Sequence, residues 1–184
     1  MPAPILILIG GATGAGTTTF ARAYLTREMK GLRFLNADEI ARGLSPFDVE
    51  SVAFKAGRLL LSEAKEEIAA RKSFALESTL SDRTHARLLK EAKAAGYQIH
   101  LHFLWIPSAR VSRERVEKRV KHGGHNVSCK DIERRYPRIS ENLLNLYLPL
   151  AHKWTFHDST HTRPKLLASH QSHGIFSVQN FLRR

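Results

Sequence analysis

The chain has 184 residues, 42% of them apolar, with 29 Lys and Arg against 17 Asp and Glu and a formal net charge of +12. That length reads as one domain spanning residues 1–184, with apolar residues enough for a core of its own. The single cysteine, Cys129, excludes an intrachain disulfide, and no apolar run approaches the ~18 residues of a membrane helix. Residues 5–9 are too short for a signal-peptide core and no basic segment precedes them, so the reading is a cytoplasmic protein.

Strand one is Ile5-Leu6-Ile7-Leu8-Ile9, a short buried apolar run broken by Gly10 and Gly11. The next eight residues, Gly11-Ala12-Thr13-Gly14-Ala15-Gly16-Thr17-Thr18, follow the phosphate-loop pattern G-x-x-x-x-G-K-[ST] with Thr17 where lysine belongs. A helix from Thr17 to about Lys30, stopped at Gly31, supplies the strand–loop–helix context that the pattern requires. Backbone N–H groups of such a loop wrap phosphates, and the helix N-terminus adds partial positive charge. Thr18 would place its hydroxyl on Mg²⁺. The parts that bind a nucleotide are therefore present, and the point charge that serves its transfer is missing.

Leu32 to Leu35 reads as strand two, ending at Asn36-Ala37-Asp38. After a break at Ser45-Pro46, Val52, Ala56, Leu60, Ala64 and Ile68 recur at helical spacing. Ser73 to Leu76 is strand three, ending at Glu77-Ser78-Thr79. A helix opened by Ser81-Asp82-Arg83 closes at Gly96, and Tyr97 to Ile106 is a long strand stopped by Pro107. Ser108 caps a basic helix carrying Arg110, Arg113, Arg115, Lys118, Arg119 and Lys121, which ends at Gly123-Gly124. From about Lys130, Ile132, Tyr136, Ile139, Leu143 and Leu146 share one helical face, with Pro137 expected to kink or divide it. Lys153 to Phe156 is the last core strand, with Trp154 and Phe156 in the core. The tail 159–184 is less regular, with Pro164 to Leu167 and Ile175 to Val178 as a candidate hairpin.

This alternation predicts a mostly parallel sheet with helices on both faces. In such folds ligands bind at the carboxyl ends of the strands. The glycine loop, Asn36-Ala37-Asp38-Glu39, Glu77-Ser78-Thr79 and the start of the basic helix all fall on that edge. The basic cluster, continued by Arg134, Arg135 and Arg138, reads either as a solvated face or as a phosphate-facing group. It has no interleaved aromatics and matches no RNA module, which sets nucleic acid well behind. His122-x-x-His125 and the histidines from His152 onward lack a companion zinc motif and read as a lid turn and an exposed tail.

Taken together, the chain resembles the small bacterial zeta-toxin-like P-loop kinases. The resemblance rests on the glycine loop, on Asn36 to Ala41 with Gly43 to Pro46, and on Ala56 to Leu59, Glu77 to Ser81 and Gly96-Tyr97. It continues through Arg115-Val116, Arg119-Val120, Gly123-Gly124-His125, Arg134-Arg135-Tyr136 and Asn142-Leu143, in order from residue 4 to about 158. It implies a three-layer α/β P-loop kinase fold with an Arg-rich helical lid, moving the ATP γ-phosphate onto the hydroxyl of a small acceptor. For toxins of that family the acceptor is typically UDP-N-acetylglucosamine, and many members are paired with an antitoxin.

The resemblance further implies a nucleotide site on Gly11, Ala12, Thr13, Gly14, Ala15, Gly16, Thr17, Thr18 and Thr19, with Thr18 on the metal. Asp38 becomes the base for the acceptor hydroxyl, and Glu77, Thr79 and Arg83 become acceptor contacts. Arg115, Arg119, Arg134 and Arg135 become lid cations meeting the charge on the transferred group. A helix N-cap remains open for Asp38, and a carboxylate acting on Mg²⁺ through water, or a plain structural one, remains open for Glu77. Asn126, Ser128 and the run His157-Asp158-Ser159-Thr160 depart from the family pattern. Thr17 leaves three accounts open: a substitution that silences a toxic enzyme, a nucleotide-binding pseudokinase or partner module, or a cation supplied by Arg22 or a lid arginine.

Overall fold

The computed structural model describes residues 2–182. Its sheet has six strands in the order β2-β3-β1-β4-β5-β6. They are β1 (Ile5–Gly11), β2 (Arg33–Leu35), β3 (Phe74–Ser78), β4 (Gln98–Trp105), β5 (Lys153–Asp158) and β6 (Lys165–Ser169). All neighbouring pairs are parallel except β5 with β6. Seven α-helices accompany them among the described residues: α1 (Thr17–Glu28), α2 (Ala37–Leu44), α3 (Ala53–Ala69), α4 (Thr84–Ala94), α5 (Ala109–Lys121), α6 (Cys129–Asn142) and α7 (Ile175–Leu182).

β1 is apolar throughout because both its edges and both its faces are covered. Leu8 pairs with Leu76 of β3 on one side and Leu101 of β4 on the other, and Leu6 to Ile9 are completely buried. The chain runs from β1 outward past β3 to β2, then returns and crosses to β4. Strand order therefore reverses at β1, and the crevice that such a reversal opens lies directly above the glycine loop.

Side-chain alternation along β4 and β5 separates the two faces. Phe103 and Phe156 lie 5.5 Å apart between ring centroids, and Phe156 stacks on Phe181 of α7. On the opposite face His102, Thr155 and His157 meet Phe20 and Tyr24 of α1. The Thr155 hydroxyl stands between the two imidazoles, 2.7 Å from His102 Nδ1 and 2.8 Å from His157 Nε2. His157 thus belongs to the fold rather than to an exposed tail, and His152, though exposed, has its ring accepting the Ile99 N–H. Trp154 and Phe156 are core residues.

Burial holds both imidazoles neutral, pushing His102 down to about 3 and His157 to about 4. An unfolded imidazole takes its proton near pH 6.5, so below that pH the unfolded chain binds protons that the folded one refuses. Stability should therefore fall as pH drops from about 6.5 toward 4, with a slope approaching about 1.4 kcal/mol per pH unit for each group. Calorimetric melting from pH 7.5 to 4.5 checks this. His102→Leu should remove roughly half of the slope, and an unchanged slope would discard the assignment.

The structure corrects two sequence expectations. Pro137 does not divide the sixth helix. Ile132 and Ile139 on either side are both buried, and that packing outweighs the lost N–H. Departure from α geometry comes later, in the π turn Leu143–Tyr147 and the 3₁₀ turn Leu148–Leu150. The tail is also not a hairpin. Lys165–Ser169 extends the sheet, whereas Ile175–Leu182 is helical because Val178 and Phe181, three residues apart, both turn onto the core. No helix among the described residues is long and apolar enough to cross a membrane.

Candidate active site

Above β1 the chain turns through Gly14 and Gly16, whose φ values of +82° and +85° fall where a side chain would be strained. Gly11 answers a different need. A Cβ there would stand 2.7 Å from the Leu104 carbonyl oxygen of the neighbouring strand. The loop's carbonyls are all tied back. Ala12 O accepts the Ala15 N–H, Thr13 O the Ser112 hydroxyl at 2.5 Å, Gly14 O an Arg115 N–H, and Ala15 O the Ser159 hydroxyl at 2.6 Å. No side chain caps α1, so its first-turn N–H groups stay available at the mouth of the crevice. A loop with its carbonyls anchored, leading into an uncapped helix N-terminus, is a cradle for phosphate.

Ser112 and Ser159 were not singled out by sequence reasoning, because their bonds to the loop span 99 and 144 residues. Ser159 belongs to the run that departs from the family pattern, and its hydroxyl is part of the anchoring.

Thr17 is buried, and its hydroxyl donates to Glu77 Oε1. Thr18 donates to Glu77 Oε2 at 2.9 Å, and Asn36 Nδ2 donates to the same oxygen at 2.8 Å. Glu77 is thus held at the end of β3 by three neutral donors and no cation. Burial pushes its carboxyl above the usual range, while the bonds from Thr17 and Thr18 oppose that rise. The Thr18 hydroxyl and the Glu77 carboxylate together offer oxygen ligands suited to a hard divalent cation.

Asn36 caps α2 by accepting the N–H groups of Asp38 and Glu39. Asp38 is therefore not the cap. It lies in the first turn of α2 with its carboxylate 3.6 Å from His125 Nε2. Sequence reasoning placed His125 only in a lid turn, and nothing local in the sequence predicts this contact.

The loop after β3 forms the far wall. Leu80 has φ +60°, a strained value for a branched side chain. It is over-determined by its N–H to Ser78 Oγ at 3.1 Å, by Asn142 Nδ2 on its carbonyl at 2.8 Å, and by packing of its side chain against Gly10. Ser78 Oγ also meets His85 Nδ1 at 3.1 Å.

These pieces enclose one cleft of about 690 Å³. The glycine loop and Thr17 to Thr19 line one side, Asp38, Glu77, Thr79 and His85 the other, and Arg115, Arg119, Arg134, Arg135 and Arg138 the lid. Two expected residues are not among its lining. Ala15 is fully buried behind the loop, and Arg83 is exposed at the N-cap of α4. Arg22 lies beyond the cleft and pairs with Glu39 at 3.3 Å.

A family model described as Zeta toxin matches residues 1–151. A Haemophilus influenzae relative, described only as an uncharacterized protein, is 29% identical over 102 residues, which is 55% of this chain and 73% of that protein. Among solved structures, a chain of the PezAT chromosomal toxin-antitoxin system of Streptococcus pneumoniae superposes with a TM-score of 0.71 at 16% identity, covering 95% of this chain and 75% of that one. A gluconokinase from Sinorhizobium meliloti superposes with a TM-score of 0.55 at 14% identity, covering 86% and 84% respectively. Both likenesses are of fold, the three-layer α/β P-loop kinase architecture.

Proposed function

The chain belongs to the zeta toxin family, and on that premise we propose that it is an ATP-dependent small-molecule kinase whose transfer step is impaired by Thr17. The observation that carries this reading is convergence on one cleft. An anchored phosphate loop, the Thr18–Glu77 pair, the Asp38 carboxylate and the lid arginines all line it.

In this reading the loop amides hold the nucleotide phosphates, with the adjoining residues Thr17 to Thr19 around them. Thr18 and Glu77 would hold Mg²⁺, which when bound would supply charge neutralisation on the phosphate oxygens. Asp38 takes the proton of the acceptor hydroxyl and orients it for in-line attack. Glu77 and Thr79 border the acceptor, while Arg115, Arg119, Arg134 and Arg135 face the transferred group. The acceptor we propose is a UDP-activated amino sugar such as UDP-N-acetylglucosamine. An antitoxin is the proposed protein partner, and the cytoplasm, which holds both substrates, is the proposed location. We take residues 1–184 as one functional domain.

A second reading, a pseudokinase that binds nucleotide without turnover, is favoured by one observation. The Thr17 hydroxyl is engaged by Glu77. The two readings share a prediction. Mg-ATP should bind, but about tenfold more weakly than to Thr17→Lys, the cost of one charged hydrogen bond. Isothermal calorimetry showing no binding at millimolar nucleotide would remove both.

A further inference from the structure

The turn after α5 carries the pair His122-x-x-His125, and the two rings part there. His122 is exposed, and its Nδ1 donates to the Lys118 carbonyl at 2.7 Å. His125 is carried the other way. Gly123 has φ +80°, and the Gly124 N–H donates to Arg119 O at 3.0 Å, in a turn so close that a Cβ on Gly124 would collide with the Arg119 side chain. The fold-back brings His125 across to α2, where its Nε2 stands 3.6 Å from Asp38 Oδ2. The His125 side chain is only 15% exposed and that of Asp38 58%, so a mostly buried ring meets a carboxylate that solvent alone would leave free to turn.

The Asp38 backbone is fixed, because its N–H donates to Asn36 Oδ1 at 2.8 Å. Its carboxylate is held less firmly. His125 is the one side chain among the described residues that pairs with it. A base is effective only when it is held in line with the hydroxyl it serves. A second cavity of about 250 Å³ adjoins the main cleft. Asp38 lines both, and His125 lines the second. The ring therefore reaches the carboxylate from the side away from the main cleft. Burial is the main influence on its charge and holds it below the ordinary imidazole pKa. Asp38 opposes that effect, Arg119 of α5 and Arg42 of α2 reinforce it, and Glu39 of α2 opposes it. A neutral imidazole can orient a carboxylate without depressing its proton affinity as a fixed cation would.

We propose that His125 is the positioning residue for Asp38, holding Oδ2 from the second cavity so that Oδ1 faces the acceptor hydroxyl in the main cleft. This rests on the role given to Asp38 above. In the transfer the hydroxyl proton passes to Oδ1 while the acceptor oxygen bonds to the γ-phosphorus and the bond from that phosphorus to ADP breaks. His125 makes and breaks none of these bonds. The base is thereby set by two separate elements, α2 and the turn after α5.

Two measurements test it. In the Thr17→Lys chain, with UDP-N-acetylglucosamine as acceptor, His125→Ala should lower kcat about tenfold and leave KM for ATP within about twofold. His125→Gln, whose amide keeps a donor, should recover part of that loss. Once Asp38→Asn is present, His125→Ala should lower kcat no further, whereas a merely structural defect would cost the same in both backgrounds. The second measurement needs no turnover. Imidazole titration followed by NMR in the parent chain should show the His125 pKa falling on Asp38→Asn, since a carboxylate that favours the charged ring is then gone. Equal kcat losses in both backgrounds, or a His125 titration indifferent to residue 38, would overturn the positioning role and leave the kinase reading in place. No transfer to the sugar nucleotide by Thr17→Lys, with Mg-ATP bound and the His125 titration still responding to residue 38, would overturn the kinase reading and the positioning role with it.

Discussion

Thr17→Lys should raise the rate of phosphoryl transfer on the order of a hundredfold or more while raising ATP affinity only about tenfold. Charge moves toward the bridging and leaving oxygens as the γ-phosphoryl departs, so a lysine there meets more charge in the transition state than in the bound nucleotide. Loss of an arginine finger, a comparable cationic contact, costs about 10³–10⁵ in rate, which sets the scale. Thr17 lines the cleft, so a longer side chain at that position starts from the wall of the phosphate site. Single-turnover kinetics on the two chains, with ATP binding measured beside them, separate rate from affinity. Unchanged turnover in a folded, ATP-binding Thr17→Lys chain would mean that the missing lysine is not the defect.

Asp38→Asn in the Thr17→Lys background should cost about 10²–10⁴ in turnover, the range for loss of a positioned base. The change is isosteric, and the cap of α2 is Asn36, so the helix should keep its N-terminus. ATP affinity should stay within about twofold, since the role proposed for Asp38 is on the acceptor rather than on the nucleotide. Asp38 stands 3.6 Å from His125 and lines the cleft beside Asn36. A melting curve matched to the parent and a turnover matched to Thr17→Lys would together remove the base assignment.

The glycine loop, the strand ends and the basic helix were readable in the sequence because each is a local signal. Gly14 and Gly16 announce positive φ, Ser108 announces a cap, and the apolar run of β1 announces a strand buried on both faces. The contacts that shape the site are another matter. Ser112 and Ser159 anchor carbonyls from about a hundred residues away or more, and Asn142 fixes Leu80 from across the fold. No periodicity encodes such pairs. Thr17 shows the difference most clearly. Its sequence meaning is a missing charge, but its structural meaning includes a bond to Glu77 that only the pairing of β1 with β3 creates. The tail misled for a related reason. The β-branched and aromatic residues of Ile175 to Val178 suit a strand, and packing of Val178 and Phe181 on the core decided for a helix.

The central claim is that this cleft moves the γ-phosphate of ATP onto an acceptor hydroxyl, and that Thr17 limits the step. Its most direct test is transfer of label from γ-³²P-ATP to a panel of UDP-sugars, UDP-N-acetylglucosamine among them, by the parent and Thr17→Lys chains side by side. A labelled sugar nucleotide formed by Thr17→Lys, with only traces from the parent, is the predicted result. ATP bound by both chains with no labelled acceptor from either would contradict it.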